Sequence, residues 1–342
     1  MSCYILFFLI ICYGIRINIK GINTNYLSHE STNAIKGVFI LLVFISHIIP
    51  YITKGGYEYI AIGDSVFRHL SGYIGQWVVA MFLFYSGYGI MEAITHKGNS
   101  YIETFPKKRI LSVLLNFDIA VLIFIITQTL LGHYVPASDY LLSFIAWSSV
   151  GNSNWYIFVI LLCYLFVYMS FRVTNKVWLQ WLLFILLTLL SFKLLSLIKP
   201  IWWYDTMLCF AFGMLFSKNK DRIFQFVSKY YTVLLAVLTL VLIPAYKYSY
   251  FFGGYSYNVF SIIFCCWIII LSMKVDISSN SLLKWCGKNL FPLYIYQRIP
   301  MIVLSSIAGG ILPSTYPVIY IFTCLFVTVV ITYLYKYWMV KF

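Results

Sequence analysis

The sequence predicts an all-α fold, a polytopic bundle of about eleven transmembrane helices with the N-terminus outside and the C-terminus cytoplasmic. Three observations predict it. The 342 residues are 62% hydrophobic and only 10% charged, with a mean hydropathy of +0.88, whereas a water-soluble domain needs roughly a quarter charged residues to cover itself. Apolar runs recur along the chain with short polar connectors between them, and runs of about 20 residues are what a hydrocarbon core of roughly 30 Å requires. With the N-terminus outside, eighteen of the 24 Lys and Arg residues fall in cytoplasmic connectors, five (Lys54, Arg68, Lys193, Lys199, Lys247) fall in outer ones, and Arg298 lies inside a span. That excess is the bias that orients membrane proteins.

The elements follow in order. The run from Met1 to Ile15 has no basic residue before it and Arg16 after it; a cleavable signal peptide has the opposite flank, so a first helix near 2–16 is expected to be retained. The second span, 33–53, has Lys36 at its cytoplasmic end and His47 eleven residues on, about 16 Å along the axis and near mid-membrane. The third, 73–94, ends cytoplasmically beside Glu92. The fourth, 109–132, opens on Lys107-Lys108-Arg109 and holds Asp118. Residues 139–150 read as a short interfacial helix. Spans then follow at 154–171, 177–196, 200–217, 229–247 and 255–273, with Asp205 after Trp202-Trp203-Tyr204 expected to be hydrated near the outer surface. The tenth, 290–308, carries Arg298 well inside it, and the eleventh covers 317–338.

The charge distribution excludes some partners. The net charge of +14 is spread over short connectors without a dense basic stripe, so no nucleic acid is expected, and anionic lipid headgroups or cytoplasmic phosphates fit better. The eight cysteines form no CxxC pair and no metal-ligand spacing; they read as small apolar core residues, and no metal site is expected. No repeat period or domain linker interrupts the chain.

An ionisable group in hydrocarbon costs from about 2.5 to more than 10 kcal/mol, which makes each one inside a span a functional candidate. His47 is either a base in a central cavity or a structural hydrogen-bond donor to a neighbouring helix. Arg298 needs a carboxylate, a water-filled cavity or an anionic ligand; Asp118 is its candidate partner, in a substrate cavity or as a structural tie between two helices. Lys107, Lys108 and Arg109 either set topology and meet lipid headgroups or hold the phosphates of a cytoplasmic donor, with Arg109 suited to bidentate contacts.

Lys36, ten mostly apolar residues and then His47 resemble the basic-x10-His signature of the integral-membrane acyltransferase-3 family. The likeness continues in order along the chain. Ala80-Met81-Phe82-Leu83-Phe84-Tyr85-Ser86-Gly87-Tyr88 is similar to the family's apolar run ending in Ser-Gly-aromatic, and Pro106-Lys107-Lys108-Arg109-Ile110-Leu111 to its basic junction. Asn154-Trp155-Tyr156-Ile157 resembles its Trp-aromatic helix start, and Gly287-Lys288-Asn289 through Tyr294-Ile295-Tyr296 its late Gly-Lys-Ser and Ile-Tyr-Leu segment. Four departures stand out. Lys36 replaces the usual arginine and lacks its planar fork, Ser112 stands where a second arginine is expected, Gln297 replaces a late histidine, and Ile160 and Leu161 occupy the place of a paired Glu.

The resemblance implies a ten-helix core within 33–342, with 1–32 as an additional helix and connector. It implies O-acyl transfer, most often of acetyl, from cytoplasmic acyl-CoA to a hydroxyl of a lipid-linked or surface polysaccharide. No permanently bound cofactor is implied; acyl-CoA is a co-substrate. His47 then becomes the catalytic base, Lys36, Lys107, Lys108 and Arg109 the donor-binding cations, and Asp118, Trp155 and Arg298 the substrate contacts. The setting would be a bacterial cytoplasmic membrane. A flippase or exporter of glycan or lipid, without acyl chemistry, is the rival reading, since mid-membrane polar residues also mark transport pathways; a sensor or scaffold with a merely structural His47 and Arg298 is a third.

Overall fold

The computed structural model describes residues 3–19, 21–58, 64 and 74–342. Lys20, Arg68 and the first residue of the expected third span lie outside them. Among the described residues the chain is helical almost throughout, and eight helices are long and apolar enough to cross a membrane. Several of them expose their apolar side chains: α7 (Val177–Ile198) leaves Trp178, Leu182, Leu186, Leu190 and Leu194 uncovered. Such a surface suits lipid and not water.

Helix α1 (Cys3–Cys12) is followed by a two-residue strand β1 (Arg16–Ile17), which pairs antiparallel with β2 (Val275–Asp276). Helix α2 (His29–Lys54) starts where Ser28 caps it, its hydroxyl accepting from the Ser31 amide at 3.2 Å, a bond that satisfies one of the orphan donors of a first turn. Helix α3 (Trp77–Lys97) is followed by the 32-residue α4 (Asn99–Leu130). A π-helical turn at Pro106–Leu111 interrupts α4 and carries Lys107, Lys108 and Arg109; Pro106 has no N–H for the regular ladder. The expected interfacial helix is shorter than 139–150: α5 (Ala137–Ser143) gives way to a loop in which Ala146 has φ +57°. Helices α6 (Trp155–Val173), α7, α8 (Leu208–Phe252), α9 (Gly254–Ser272), α10 (Ser281–Lys288), α11 (Leu290–Tyr296), α12 (Arg298–Ser306), α13 (Ile311–Thr315) and α14 (Pro317–Leu334) complete the fold.

The expected eleven spans differ from these eight long helices at three places. Helix α1 has ten residues, about 15 Å of rise and half a hydrocarbon core. The expected spans 200–217 and 229–247 are not separated by a loop; α8 runs through both, broken only at Tyr230 (φ −116°, ψ 24°). The expected span 290–308 divides into α11 and α12 at Gln297, because Pro300 has no N–H to donate back to residue 296.

Two close helix pairs hold the bundle together, and both depend on glycine. A Cβ at Gly37 would strike the Leu283 carbonyl and one at Gly287 the Asn33 carbonyl, so α2 and α10 meet backbone to backbone. Gly87 and Gly213 do the same for α3 and α8, against Phe210 and Phe84. Small residues permit such approach where lipid supplies no hydrophobic drive between helices. Across the α3–α8 pair Glu92 accepts from Ser217 Oγ and Lys220 Nζ, each at 2.6 Å, which makes it a structural tie. Asp205, expected to be hydrated, is 2% exposed: it follows the 3-10 turn Ile201–Trp203, in a segment tied to α9 by Asn258 Nδ2, which donates to the Tyr204 carbonyl at 2.9 Å.

Candidate active site

Helix α2 is continuous from His29 to Lys54. Eleven residues at about 100° each turn the helix by three turns and about 20°, so Lys36 and His47 share one face. His47 lies seven residues before Lys54, about 10 Å from that end of the helix and farther from the Lys36 end than mid-span. The two side chains line different cavities. A cavity of about 730 Å³ takes in Lys36, Lys288 and Lys336 at its basic rim and Phe82, Tyr156, Tyr164 and Tyr294 along its walls. Two smaller cavities meet at Ser46 and His47: one of about 230 Å³ with Pro50, Tyr51, Lys54 and Arg298, and one of about 250 Å³ with Gln76, Trp155, Trp202 and Tyr294. Among the described residues Tyr294 is the one shared by the large cavity and a His47 cavity. Its ring lies 6.1 Å from the His47 ring and 5.3 Å from that of Tyr156.

The loop between α5 and α6 brings further groups to this place. Asn154 Nδ2 donates to the Ala146 carbonyl at 2.9 Å, Asn152 Oδ1 accepts from the Val150 amide at 3.0 Å, and Gln128 of α4 donates to the Val150 carbonyl at 3.0 Å. Lys199 anchors the loop from the α7 end: its Nζ donates to the Trp147 carbonyl at 2.8 Å and sits 3.7 Å from the Trp147 ring and 4.1 Å from the Trp203 ring, a cation held between two indoles. These bonds fix Asn152, Ser153 and the helix start at Trp155 beside Arg298 and Tyr294.

Arg298 begins α12 at the break in the late helix. Its Nη1 donates to the Asn152 carbonyl and its Nη2 to the Tyr51 hydroxyl, each at 3.4 Å, and its Nε is buried without a partner. Asp118 forms no ion pair with it: among the described residues the ion pairs join Glu92 to His96 and Lys220, and Glu30 to Lys284. Asp118 Oδ1 is itself buried without a partner, on α4 and away from the cavities that hold His47. Around Arg298, His47 Nδ1 and Asn152 Nδ2 are likewise buried without hydrogen-bond partners, and the buried Tyr294 hydroxyl faces that of Ser153. Buried polar atoms are nearly always paired, so a cluster of unpaired ones around a cavity marks a place built to receive polar groups.

The cationic cluster lines a different cavity, with the Arg109 guanidinium interacting with Tyr164 in the wall of the large one. Lys108 and Arg109 line a separate cavity of about 400 Å³ with Lys97, Ser100, Tyr101 and Thr104; Arg109 Nε donates to the Tyr101 hydroxyl at 3.0 Å, and Lys107 lies over the Phe342 ring at 5.1 Å. The structure therefore brings Lys36 together with Lys288 and Lys336, and His47 together with Arg298 and Trp155. Lys288, Lys336, Tyr294 and Trp202 are the residues that sequence reasoning passed over. Lys288 and Tyr294 lie inside the Gly287–Tyr296 segment that resembles the family's, and that is a usable signal; Lys336 and Trp202 offer none beyond composition. No group of three His, Cys, Asp or Glu side chains able to hold a metal ion occurs among the described residues.

No curated protein and no solved structure matches the chain. A family model described as an acyltransferase domain matches residues 29–336, a range that takes in the basic-x10-His segment of α2, both His47 cavities, all of the large cavity's described lining but Met339, and the break at Arg298. With apolar helices exposed to lipid and a paired set of basic and imidazole-lined cavities inside them, this chain belongs to the acyltransferase-3 family of membrane acyltransferases.

Proposed function

We propose that the protein moves an acyl group, most simply acetyl, from acyl-CoA to a hydroxyl of a lipid-linked or surface glycan at a bacterial cytoplasmic membrane. The observation that carries this reading is the arrangement of cavities beside His47: a large one with three lysines on the Lys36 side and two smaller polar ones at His47, with Tyr294 in the wall of the large one and of one of the smaller two. The donor's phosphates meet Lys36, Lys288 and Lys336, charges that attract polyphosphate at the mouth of an otherwise apolar cavity. The distribution of Lys and Arg supports a cytoplasmic position for that mouth. From Lys36 to His47 is about 16 Å along α2, a distance the donor's pantetheine arm bridges to bring its thioester past Tyr156 to Tyr294.

The chemistry then falls to groups around His47. A neutral imidazole takes the proton of the acceptor hydroxyl as its oxygen attacks the thioester carbonyl. The new C–O bond forms, the C–S bond breaks, and the imidazole returns the proton to the departing thiolate. Tyr294, whose buried side chain lines both the large cavity and a His47 cavity, is the donor we assign to the carbonyl oxygen as negative charge grows on it. Trp155 and Trp202 give the acceptor cavity two aromatic surfaces, against which the apolar face of a sugar ring packs.

Purified protein in liposomes, given acyl-CoA labelled in the acyl group and a panel of glycans, tests the reading. Label on the glycan and release of free CoA are expected. Movement of unmodified glycan across the bilayer with the donor intact overturns the reading in favour of a transporter.

A further inference from the structure

Among the described residues, the cavity shared by His47 and Arg298 carries two cations and no acid. Its described lining is Ser46, His47, Pro50, Tyr51, Lys54 and Arg298. All ten Asp and Glu residues of the sequence lie among the described residues, and none forms an ion pair with Arg298 or Lys54. The guanidinium has five N–H donors. Here two of them reach neutral acceptors at 3.4 Å, beyond the usual range for such bonds, and Nε is buried with nothing to bind. A guanidinium held inside a membrane bundle is costly unless an anion or water compensates it. Asp118, the internal anion best spaced to do so in the sequence, does not. The compensation is then left to what enters the cavity, and what enters lies against His47.

We infer that the acceptor is anionic: a phosphate or carboxylate of the acceptor seats on Arg298 and Lys54 and delivers the neighbouring hydroxyl to His47. The inference rests on the acyl-transfer reading of the same site, and it adds the charge class of the substrate. Arg298 reads the oxyanion through its planar fork, while Lys54, exposed at the end of α2, draws it inward. A phosphate next to the lipid carrier and a carboxylate on an acidic sugar present the same chemistry to this pair.

The test measures binding and transfer separately. Purified protein in nanodiscs is titrated with three glycans matched in length: one bearing a uronic acid, its methyl ester, and the neutral glycan on a polyprenyl phosphate. Quenching of tryptophan fluorescence reports binding, and labelled acetyl-CoA reports transfer. At least one anionic glycan is expected to bind tenfold or more tightly than the methyl ester. Which of the two binds tells sugar carboxylate from carrier phosphate. Arg298→Gln is expected to abolish the preference and Lys54→Gln to reduce it severalfold; Lys54→Gln, at an exposed position, keeps the test available if Arg298→Gln does not accumulate. Equal binding of all three, or a preference untouched by both substitutions, overturns the inference. Charge-selective binding without any transfer leaves Arg298 and Lys54 as an anion site and overturns the acyl-transfer reading, and with it the anion's role as acceptor; transfer without charge selection overturns the inference alone.

Discussion

At the scale of single residues the account turns on which groups share a cavity. In the proposed mechanism His47 takes the proton of the acceptor hydroxyl, and general-base catalysis contributes about 10²–10⁴-fold; His47→Ala is expected to lower kcat by that order while the protein still reaches the membrane. Tyr294→Phe keeps the ring contacts with His47 and Tyr156 and removes one oxygen, and the expected fall in kcat is about 10²-fold with KM for the donor unchanged, as for loss of one oxyanion donor. In the basic cavity, Lys288→Gln or Lys336→Gln is expected to raise the donor KM about tenfold, the effect of losing about 1.4 kcal/mol of charge-assisted binding. Lys108→Gln, in its separate cavity, is expected to change that KM less. Steady-state kinetics with varied acyl-CoA distinguishes the two positions. His47 and Lys36 were legible because one helix carries both and its period fixes their spacing. Lys336 was not, since its place beside Lys36 depends on how α14 returns to α2, and no local pattern encodes that.

At the scale of elements, glycine contacts and helix breaks shape the site. Gly287→Val sets side-chain atoms against the Asn33 carbonyl, and overpacking of this kind costs about 1–3 kcal/mol or more. The expected result is a lower melting temperature in detergent and loss of activity together, because α10 also carries Lys288 into the basic cavity. Asn280 caps α10 through the Leu283 amide at 3.0 Å and donates to the Ile10 and Tyr13 carbonyls at 2.7 and 3.0 Å. Asn280→Ala therefore is expected to destabilise by about 0.5–2 kcal/mol from the cap alone, and to free the N-terminal segment to proteolysis. Long apolar helices such as α2, α6, α7 and α9 were readable from their runs to within a few residues. The division of 290–308 at Gln297 was readable only as a proline at position 300, and the run gave no sign that the break would turn Arg298 toward His47. That the expected spans 200–217 and 229–247 are divided by a kink at Tyr230 and not by a loop was hidden, because polar residues 217–222 resemble a connector whether or not the helix stops.

At the scale of the whole molecule, the protein is a membrane bundle with a basic cavity toward the Lys36 end of α2 and imidazole-lined cavities toward the Lys54 end. The reading requires these ends to face opposite sides of the membrane, with Lys336 inside and Lys54 outside. Cysteine introduced at position 54 is expected to react with an impermeant maleimide on intact cells, and cysteine at position 336 only after permeabilisation; the reverse pattern inverts the donor and acceptor sides. Cys163, Cys209, Cys265, Cys286 and Cys324 are buried, and the labelling is done with Cys3, Cys12 and Cys266 replaced by Ser. The most direct measurement of the central claim is transfer of label from acyl-CoA to glycan by wild-type protein and by His47→Ala, reconstituted side by side in proteoliposomes at equal folded amounts. The account predicts labelled glycan with the wild type and a loss of at least about 10²-fold with His47→Ala; equal transfer by the two proteins would contradict it.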